Sequence, residues 1–371
     1  MSYMKYYSNW AEIDLGAIRN NVGIICKHTG VQVMAIVKAN AYGHGAVPVA
    51  RAALQGGATW LAVARVDEAV ELRRAGIVAP IFLLGYVPSL RLEEAVANRV
   101  SMAFWTIEQA RCVSAAAERV GETAKLHFIV DTGMSRLGAQ AGEALDIMRQ
   151  VCSIPHVYME GIFTHFARAD EPDSDPTNVQ EDLFLMVLSA LDAEGVRPKI
   201  VHAANSAASL TRSSAVFSLV RLGISLYGLF PNHKYPLPPE FRPALSWKSV
   251  LSQVKVLPPG RGVSYGHIYT TRGNERIGTI PVGYADGYRR TTGNYVLVGS
   301  KQVPVIGRVC MDYIMVRLDS VTEAKAGDEV VLIGSQGDAR ILAEDVGDVW
   351  GTINYEVTCA VGARVPRIFR E

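Results

Sequence analysis

The sequence predicts an α/β protein, a (β/α)8 TIM barrel followed by a C-terminal mainly-β domain. Apolar strand-like runs alternate with helix patterns from Val33 to about Arg221. Prolines then interrupt the chain after Gly228, and the sequence beyond them consists of short strand-like runs separated by glycine turns. Alternating strands and helices are typical of a parallel sheet, and the later pattern is typical of antiparallel β structure.

The barrel is predicted from eight apolar runs, each of a length suited to a buried strand. They are Val33–Lys38, Trp60–Ala64, Ile81–Leu84, Val100–Phe104, Leu126–Asp131, Met159–His165, Ile200–Ala204 and Phe217–Arg221. The first seven precede the helix-like segments Ala46–Leu54, Val66–Arg74, Leu90–Ala97, Ile107–Arg119, Glu143–Val151, Val179–Asp192 and Ser206–Leu210. A further helix is predicted at Asp14–Cys26, with Asp14 as its N-cap. A doubly wound open sheet is the competing layout, but it favours a G-x-G-x-x-G turn after the first strand, which is absent.

The second domain is predicted from the part of the chain that follows a proline-rich linker at 233–243. Its predicted strands are Leu245–Val256, Arg276–Val282, Tyr295–Val298, Gln302–Ile306, Tyr313–Arg317 and Glu329–Ile333. One helix is predicted there, at about Ala343–Trp350. We therefore expect a barrel over 11–232 and a β domain over 244–371, with residues 1–10 a candidate to pack with the β domain.

Composition excludes several classes of function. The 371 residues are 49% hydrophobic and 20% charged, and the net charge of +1 gives no electrostatic case for nucleic acid or an anionic membrane. The N-terminal residues lack the apolar core of a signal peptide, and no apolar run is long enough to span a membrane. The five cysteines are dispersed without metal-ligand spacing. These features predict a cytoplasmic protein with reduced thiols and no metal.

Polar side chains follow the predicted barrel strands at their carboxyl ends, where such barrels hold their chemistry. Lys38 ends the first run, and Tyr42 shares the tight loop that follows it. The others are Asp131 with Arg136, His165, Asn205 with Ser206, and Arg221. Each alone has an ordinary structural explanation, such as a lysine that reaches solvent or a core histidine with satisfied hydrogen bonds. Their convergence at one rim predicts a shared site.

Two features indicate a phosphate. Ser206 begins a helix directly after a strand, so the free backbone N–H groups of the first helical turn can bind an anion. Arg221 to Ile224 follow the eighth strand, and barrels commonly bind phosphate after their last two strands. A phosphate there and Lys38 at the first strand suggest a phosphorylated carbonyl cofactor bound as a Schiff base, which pyridoxal 5'-phosphate would satisfy.

A set of ordered motifs extends over nearly the whole chain. It comprises A-I-V-K-A-N-A-Y-G-H-G, D-T-G-M-S-R-L-G, T-H-F-A, A-N-S-A-A, R-L-G-I-S-L-Y-G, V-S-Y-G, P-V-G-Y-A-D-G, G-R-V-C-M-D and I-N-Y-E-V. This set resembles the alanine racemase family. The resemblance implies a barrel plus a β domain, a pyridoxal phosphate cofactor, and a homodimer whose active sites are shared between subunits.

The resemblance also implies a role for each matching residue. Lys38 would hold the cofactor and act as the base on the D-face, and Tyr265 would be the base on the L-face. Arg136 and Met311 would contact substrate, Arg221 would lie at the cofactor ring nitrogen with His165 supporting it, and Tyr284 would line the entrance. The phosphate cradle would be formed by Tyr42, Ser206, Gly223, Ile224 and Tyr355.

Physical reasoning agrees with a pair of bases. Racemisation needs one proton-transfer group on each face of the α-carbon, so a barrel lysine and a β-domain tyrosine suit the task. A phenol is mostly protonated at neutral pH, and a nearby cation such as Arg136 would help to ionise it. An arginine at the ring nitrogen gives up its proton reluctantly, so it would keep the pyridine unprotonated and disfavour transamination.

One position departs from the family pattern. Members usually have a lysine, modified by carbon dioxide, two residues before the aspartate of D-T-G-M, and its carbamate holds the arginine of that motif. Here the position is Ile129, which cannot form a carbamate. We therefore expect Arg136 to be positioned by another acceptor or by a bound anion such as chloride.

The predicted function is interconversion of L-alanine and D-alanine, which the resemblance connects with supplying D-alanine for peptidoglycan. A broad-specificity amino-acid or serine racemase on the same scaffold is one alternative. A non-catalytic pyridoxal phosphate carrier is another, although it would be a lone barrel. A decarboxylase is disfavoured by Arg221, since decarboxylases of similar architecture have a carboxylate at that place.

Overall fold

The structure is a computed structural model that describes residues 6–171, 175–232 and 237–371. The chain forms two compact units. One consists of Ala17–Ala41 and Ala46–Arg242, and the other of the N-terminal segment up to Gly16, Tyr42–Gly45 and Pro243–Glu371. We call them the barrel unit and the β unit. Part of the predicted linker, at 233–236, lies outside the described residues, and the predicted domain bounds stay a prediction.

The barrel unit contains the eight predicted parallel strands, with their ends moved by at most two residues. They are Gln32–Ile36, Trp60–Val63, Ile81–Leu83, Val100–Phe104, Ala124–Asp131, Val157–Phe163, Ile200–His202 and Leu219–Leu222. The first seven pair with one another in chain order and the eighth pairs with the first, so the one gap in the ring lies between Ile200–His202 and Leu219–Leu222. The remaining gap is bridged where Ser218 N–H donates to Val201 O (3.2 Å) and Arg221 N–H to Ala204 O (3.0 Å). The predicted (β/α)8 fold is confirmed.

Helices follow the barrel strands as predicted. They are Ala46–Gln55, Val66–Arg74, Leu92–Ala97, Ile107–Val120, Ala144–Val151, Asp175–Ala193 and Ser206–Thr211, and a further helix, Leu15–Thr29, precedes the first barrel strand. Asp14 ends the preceding strand and directly precedes Leu15, the first residue of the helix Leu15–Thr29, which is the N-cap position, and its capping role stays a prediction. Among the helices of the described residues, none combines the length and apolarity needed to cross a membrane.

The barrel interior is mostly apolar because the strands are buried along almost their whole length. Trp60–Val63 and Val100–Phe104, for example, are buried at every position. Polar side chains on the barrel strands are also buried, among them His127, Glu160 and His202, which are each at most 6% exposed. Buried polar groups persist only when they are hydrogen-bonded, so these three indicate a network inside the barrel.

The β unit contains a mainly antiparallel sheet. Its neighbours in order are Gln253–Leu257, Glu275–Ile280, Ile314–Arg317, Lys301–Ile306, Tyr295–Val298, Glu329–Gln336, Leu245–Val250, Asn9–Asp14 and Arg367–Arg370, with Ala339–Ile341 paired to Glu329–Gln336. A separate hairpin pairs Gly262–Val263 with Tyr269–Thr270. The predicted mainly-β fold of this part is confirmed.

The β unit differs from the sequence prediction in several details. The run predicted as one strand, Leu245–Val256, forms two strands, Leu245–Val250 and Gln253–Leu257. Asn9–Asp14 is a strand inserted between Leu245–Val250 and Arg367–Arg370, whereas no strand was predicted there. A second helix, Asn354–Ala360, follows Ala343–Trp350, whereas only one helix was expected. Its Val357 and Thr358 are β-branched, which weakens the helical signal, but both are fully buried and tertiary packing decides.

Candidate active site

Lys38 follows the first barrel strand and precedes an unusual turn of backbone. Ala39, Asn40, Ala41 and Tyr42 all have φ of 51–52°. Four consecutive non-glycine residues in the left-handed region cost roughly 1–2 kcal/mol each. Strain of this kind persists only where the surroundings enforce it, and it clusters at functional sites.

Hydrogen bonds in the barrel unit hold this turn. The carboxylate of Glu68 accepts the Ala39 N–H at 2.5 Å, and the side chain of Asn40 accepts the Ala46 N–H at 2.8 Å. Ala41 N–H donates to Val37 O at 2.9 Å. The half-buried Lys38 side chain is therefore attached to a rigid backbone segment.

Tyr42 to Gly45 belong to the β unit, where they pack on the helix Asn354–Ala360. The rings of Tyr42 and Tyr355 lie 6.1 Å apart, which brings two predicted phosphate-cradle residues together. Gly43 has φ of 84°, and a Cβ there would overlap the carbonyl group of Thr358. Burial raises the pKa of Tyr42, and Cys359 raises it further, so its phenol is a neutral hydrogen-bond donor.

Arg221 lies at the carboxyl end of the last barrel strand and is 3% exposed. Its Nη1 donates to Nδ1 and O of His202 at 3.0 and 2.9 Å. Its Nη2 donates to Thr164 O, Ala203 O and His165 Nδ1 at 2.8–3.1 Å. Among the described residues, no carboxylate contacts this guanidinium and its Nε–H has no acceptor. Burial, and then the charge of Arg136, lower the pKa of Arg221 to about 9, so it stays cationic at neutral pH.

His165 accepts the hydrogen bond from Arg221, so its Nδ1 carries no proton. Burial lowers the pKa of His165 to about 3, helped by the positive charges of Arg221, Arg136 and Lys38 in turn. The structure therefore gathers these predicted barrel residues within electrostatic range of one neutral imidazole.

Ser206 begins the short helix after the seventh barrel strand. Its hydroxyl oxygen accepts the N–H groups of Gly223 (2.9 Å) and Ser225 (3.3 Å), which ties this helix to the loop after the eighth strand. Ile224, in the same loop, is buried. The hydroxyl of Ser225 is buried without a hydrogen-bond partner among the described residues. The loop after the eighth strand therefore has an unused hydroxyl donor, as an anion site requires.

Arg136 lies in the loop after the strand Ala124–Asp131. The Asp131 carboxylate shapes this loop by accepting the N–H groups of Gly133 and Ser135 at 3.0 and 2.9 Å. The Arg136 side chain is exposed and has no hydrogen bond or ion pair with any described residue. Ile129 is buried and apolar. The expectation of a bound anion beside Arg136 stays a prediction.

Tyr265 lies in the β unit, on the tip of the hairpin Gly262–Thr270. Its neighbours Ser264, Gly266 and His267 have φ of 64°, 70° and 43°. Ser264 Oγ donates to Arg308 O at 2.6 Å and lies 3.4 Å from the sulfur of Cys310. Tyr265 is 68% exposed. Its phenol is therefore accessible, on a backbone that is strained and anchored by Ser264.

Met311 and Tyr284 share one backbone patch of the β unit. Tyr284 N–H donates to Cys310 O and Ala285 N–H to Met311 O, both at 3.1 Å. Cys310 also contacts Ser264, next to Tyr265, so the structure groups the segments that bear Tyr265, Tyr284 and Met311. Tyr284 and Met311 are 44% and 52% exposed.

The sequence analysis missed the polar side chains behind Arg221, which are His202, His127 and Glu160. All three lie on barrel strands, and each interrupts a run of apolar residues. A polar residue at an inward position of a buried strand was the available signal.

A barrel with a lysine, a buried arginine and an anion corner at the carboxyl ends of its strands, joined to a β unit with exposed tyrosines, defines the class of barrel-plus-β racemases. A racemase is an isomerase, and this chain is an enzyme of that kind.

Comparisons with known proteins specify the family. The alanine racemase N-terminal domain matches residues 13–231, and the alanine racemase C-terminal domain matches residues 244–369. Alanine racemases of Symbiobacterium thermophilum and Geobacillus kaustophilus are 44% and 45% identical to the chain; each alignment covers 97% of it, and 96% and 94% of those proteins. The structure of an alanine racemase from Clostridium difficile 630 superposes with a TM-score of 0.94 at 39% identity, covering 99% of this chain and 96% of that one. The chain belongs to the alanine racemase family.

Proposed function

We propose that the protein interconverts L-alanine and D-alanine with pyridoxal 5'-phosphate, as a cytoplasmic homodimer that supplies D-alanine for peptidoglycan. The observation that carries the proposal is the buried Arg221, whose Nη donors are fully used and whose Nε–H remains for a ligand.

The barrel residues fit this cofactor. Arg221 Nε–H suits the lone pair of an unprotonated pyridine nitrogen, since an arginine donates hydrogen bonds and does not accept them. Ser206, Gly223 and Ile224, next to the unpartnered hydroxyl of Ser225, suit a phosphate group. Tyr42 and Tyr355 would add phenol donors to it. Pyridoxal phosphate, when bound, supplies an electron-withdrawing ring that makes the α-proton of an amino acid acidic.

Lys38 and Tyr265 would move the proton. Lys38 would anchor the cofactor and serve as the base on the D-face, and Tyr265 would serve on the L-face. Each is fixed by unusual backbone: Lys38 by the left-handed turn after it, and Tyr265 by the positive-φ residues on either side. Rigid placement of this kind is what efficient proton transfer needs.

Arg136 would bind the substrate carboxylate. Its exposed guanidinium has no partner among the described residues, so it can form a bidentate pair with that carboxylate. An anion such as chloride would take the place of the carbamate that Ile129 cannot form.

A homodimer is favoured by the exposed surface around Tyr265. The β unit exposes Tyr265, Ile268, Tyr284, Met311 and Tyr313, each by 44% or more. Clustered exposed apolar side chains are typical of an interaction surface, and a second copy would cover them and complete the site.

Among the alternatives, Arg221 disfavours a decarboxylase, and the β unit that bears Tyr265 disfavours a cofactor carrier consisting of a barrel alone. Relative turnover of alanine, serine and lysine would separate an alanine racemase from a broad-specificity or serine racemase.

The direct test is an absorption spectrum of the purified protein before and after borohydride, followed by peptide mapping. We expect a coloured protein in which borohydride fixes the cofactor to Lys38. A colourless protein that does not react with pyridoxal phosphate, or a label on another lysine, would contradict the proposal.

A further inference from the structure

A chain of hydrogen bonds runs through the barrel interior behind Arg221. Arg221 Nη1 lies 3.0 Å from His202 Nδ1, and His202 Nε2 lies 2.9 Å from His127 Nδ1. His127 Nε2 lies 3.1 Å from Glu160 Oε2. Both imidazoles are fully buried, and each uses both of its ring nitrogens in this chain. We call Glu160, His127 and His202 the relay.

The two ends of the chain fix the direction of every hydrogen bond in it. An arginine only donates, and an ionised carboxylate only accepts. His127 must therefore donate from Nε2 to Glu160 and accept at Nδ1. His202 must then donate from Nε2 and accept the Arg221 N–H at Nδ1. Both histidines are required to be neutral Nε2–H tautomers, because a second proton on either ring would place two donors face to face.

Charges at the relay agree with this assignment. Burial by itself would raise the pKa of Glu160, but hydrogen bonds from His127, Ser101 and Lys125 outweigh it and hold that pKa well below its usual range. Ser101 Oγ donates to Oε2 of Glu160 at 2.5 Å, and Lys125 Nζ lies 2.9 Å from Oε1. Burial lowers the pKa of His127 and of His202, so both are neutral. The carboxylate is charged and the imidazoles are not.

Arg221 needs such support because it is a buried cation without a carboxylate among its contacts in the described residues. The imidazoles and carbonyls around it are all neutral acceptors. Their lone pairs must point at the guanidinium, and the carbonyl positions are fixed by the strands, whereas an imidazole can present either a lone pair or an N–H. The variable contacts are thus the imidazoles of His202 and His165, and that of His202 is the one hydrogen-bonded to His127 of the relay.

We propose that Glu160 is a positioning residue for Arg221: by accepting from His127 it sets the tautomers of both relay histidines, so that His202 presents a lone pair to the guanidinium. The inference rests on the proposed function for one point, that Arg221 faces the cofactor ring nitrogen. The histidine tautomers themselves can be determined whether or not the protein racemises alanine. With the wrong tautomer, an N–H of His202 would face an N–H of Arg221, and the arginine would shift away from the site of the ring nitrogen.

The first test locates the protons by neutron diffraction from deuterium-exchanged crystals of the cofactor-loaded protein. We expect deuterium on Nε2 and none on Nδ1 in both His127 and His202. Deuterium on Nδ1 of either ring would overturn the proposal, and this test needs no variant to fold.

The second test compares matched variants at position 160. In Glu160→Gln the amide oxygen can still accept from His127, so we expect kcat within about threefold of wild type and unchanged ¹⁵N shifts of the histidine rings. In Glu160→Met the acceptor is lost, and a buried donor left without its acceptor is expected to lower kcat about tenfold or more, with little change in KM and with a mixture of ring tautomers.

Lys125→Met is the control, because it removes the half-exposed cation from the other carboxylate oxygen and leaves all three relay hydrogen bonds. We expect wild-type kcat and ring shifts. Equal losses in Glu160→Gln and Glu160→Met, or in Lys125→Met and Glu160→Met, would show that charge rather than bond direction matters and would overturn the proposal. Wild-type kcat in a folded Glu160→Met would do the same.

Discussion

In the barrel unit Arg221 and His165 are buried and hydrogen-bonded, whereas in the β unit Tyr265 and Met311 are exposed by more than half. The barrel groups are positioned by other side chains, so their geometry exists before any ligand arrives. Tyr265 is positioned through its backbone, with Ser264 and His267 in the left-handed region and the Ser264 hydroxyl anchored to Arg308 O. Under the proposed function, the barrel would be a preorganised cofactor site, and the β unit would present groups that act once substrate and a second subunit cover them.

The largest expected effect comes from Lys38→Ala. Loss of both the cofactor anchor and the D-face base should lower racemisation by ~10⁴-fold or more, because each role alone contributes heavily. The measurement is the rate at which one alanine enantiomer is formed from the other. Lys27→Ala, at an exposed helix position, is the control and should retain activity. Comparable activity in the two variants would show that Lys38 is not needed for racemisation.

Gly43→Ala should cost about 3 kcal/mol of unfolding free energy, because the added Cβ meets the Thr358 carbonyl in a backbone that already has φ of 84°. Gly30→Ala is the matched control: its φ is 67° and nothing lies within 4 Å of the added Cβ, so only the conformational cost of about 1 kcal/mol applies. Urea unfolding at one fixed protein concentration measures both. Equal costs would mean that Tyr42–Gly45 is not packed tightly on the helix Asn354–Ala360.

The smallest expected effect is a pH dependence of stability from the buried neutral histidines. His165 has its pKa lowered from 6.5 to about 3, so between those values the unfolded chain binds a proton that the folded chain does not. Stability should therefore fall as pH falls below 6.5, with a slope approaching about 1.4 kcal/mol per pH unit for each such histidine.

Urea unfolding between pH 6 and pH 5 tests this slope. His165→Gln should reduce the slope of unfolding free energy against pH by about the contribution of one histidine. His28→Gln, at an exposed position, should leave the slope unchanged. An unchanged slope in His165→Gln would mean that His165 is not held neutral.

Sequence pattern was sufficient for the barrel because its strands are apolar runs bounded by glycine and by helix patterns. It was less informative where local preference and tertiary structure disagree. The turn Ala39–Tyr42 adopts the left-handed region without a single glycine, which no propensity indicates. The strand Asn9–Asp14 forms because residues more than 230 positions away complete its sheet, as in the pairing of Asn9 with Ser249. The positions of Lys38, Arg221 and Tyr265 could be proposed from motifs, whereas the relay depends on contacts between distant strands.

The claim at the centre of this account is that two bases act on opposite faces of one α-carbon. Tyr265→Phe, incubated with D-alanine or L-alanine in D2O, tests it most directly, with Tyr313→Phe as a control on another exposed tyrosine of the β unit. We expect Tyr265→Phe to retain the cofactor and to exchange the α-proton of D-alanine for deuterium, but neither to exchange that of L-alanine nor to racemise either isomer. Equal exchange from both isomers, or racemisation at the wild-type rate, would contradict it.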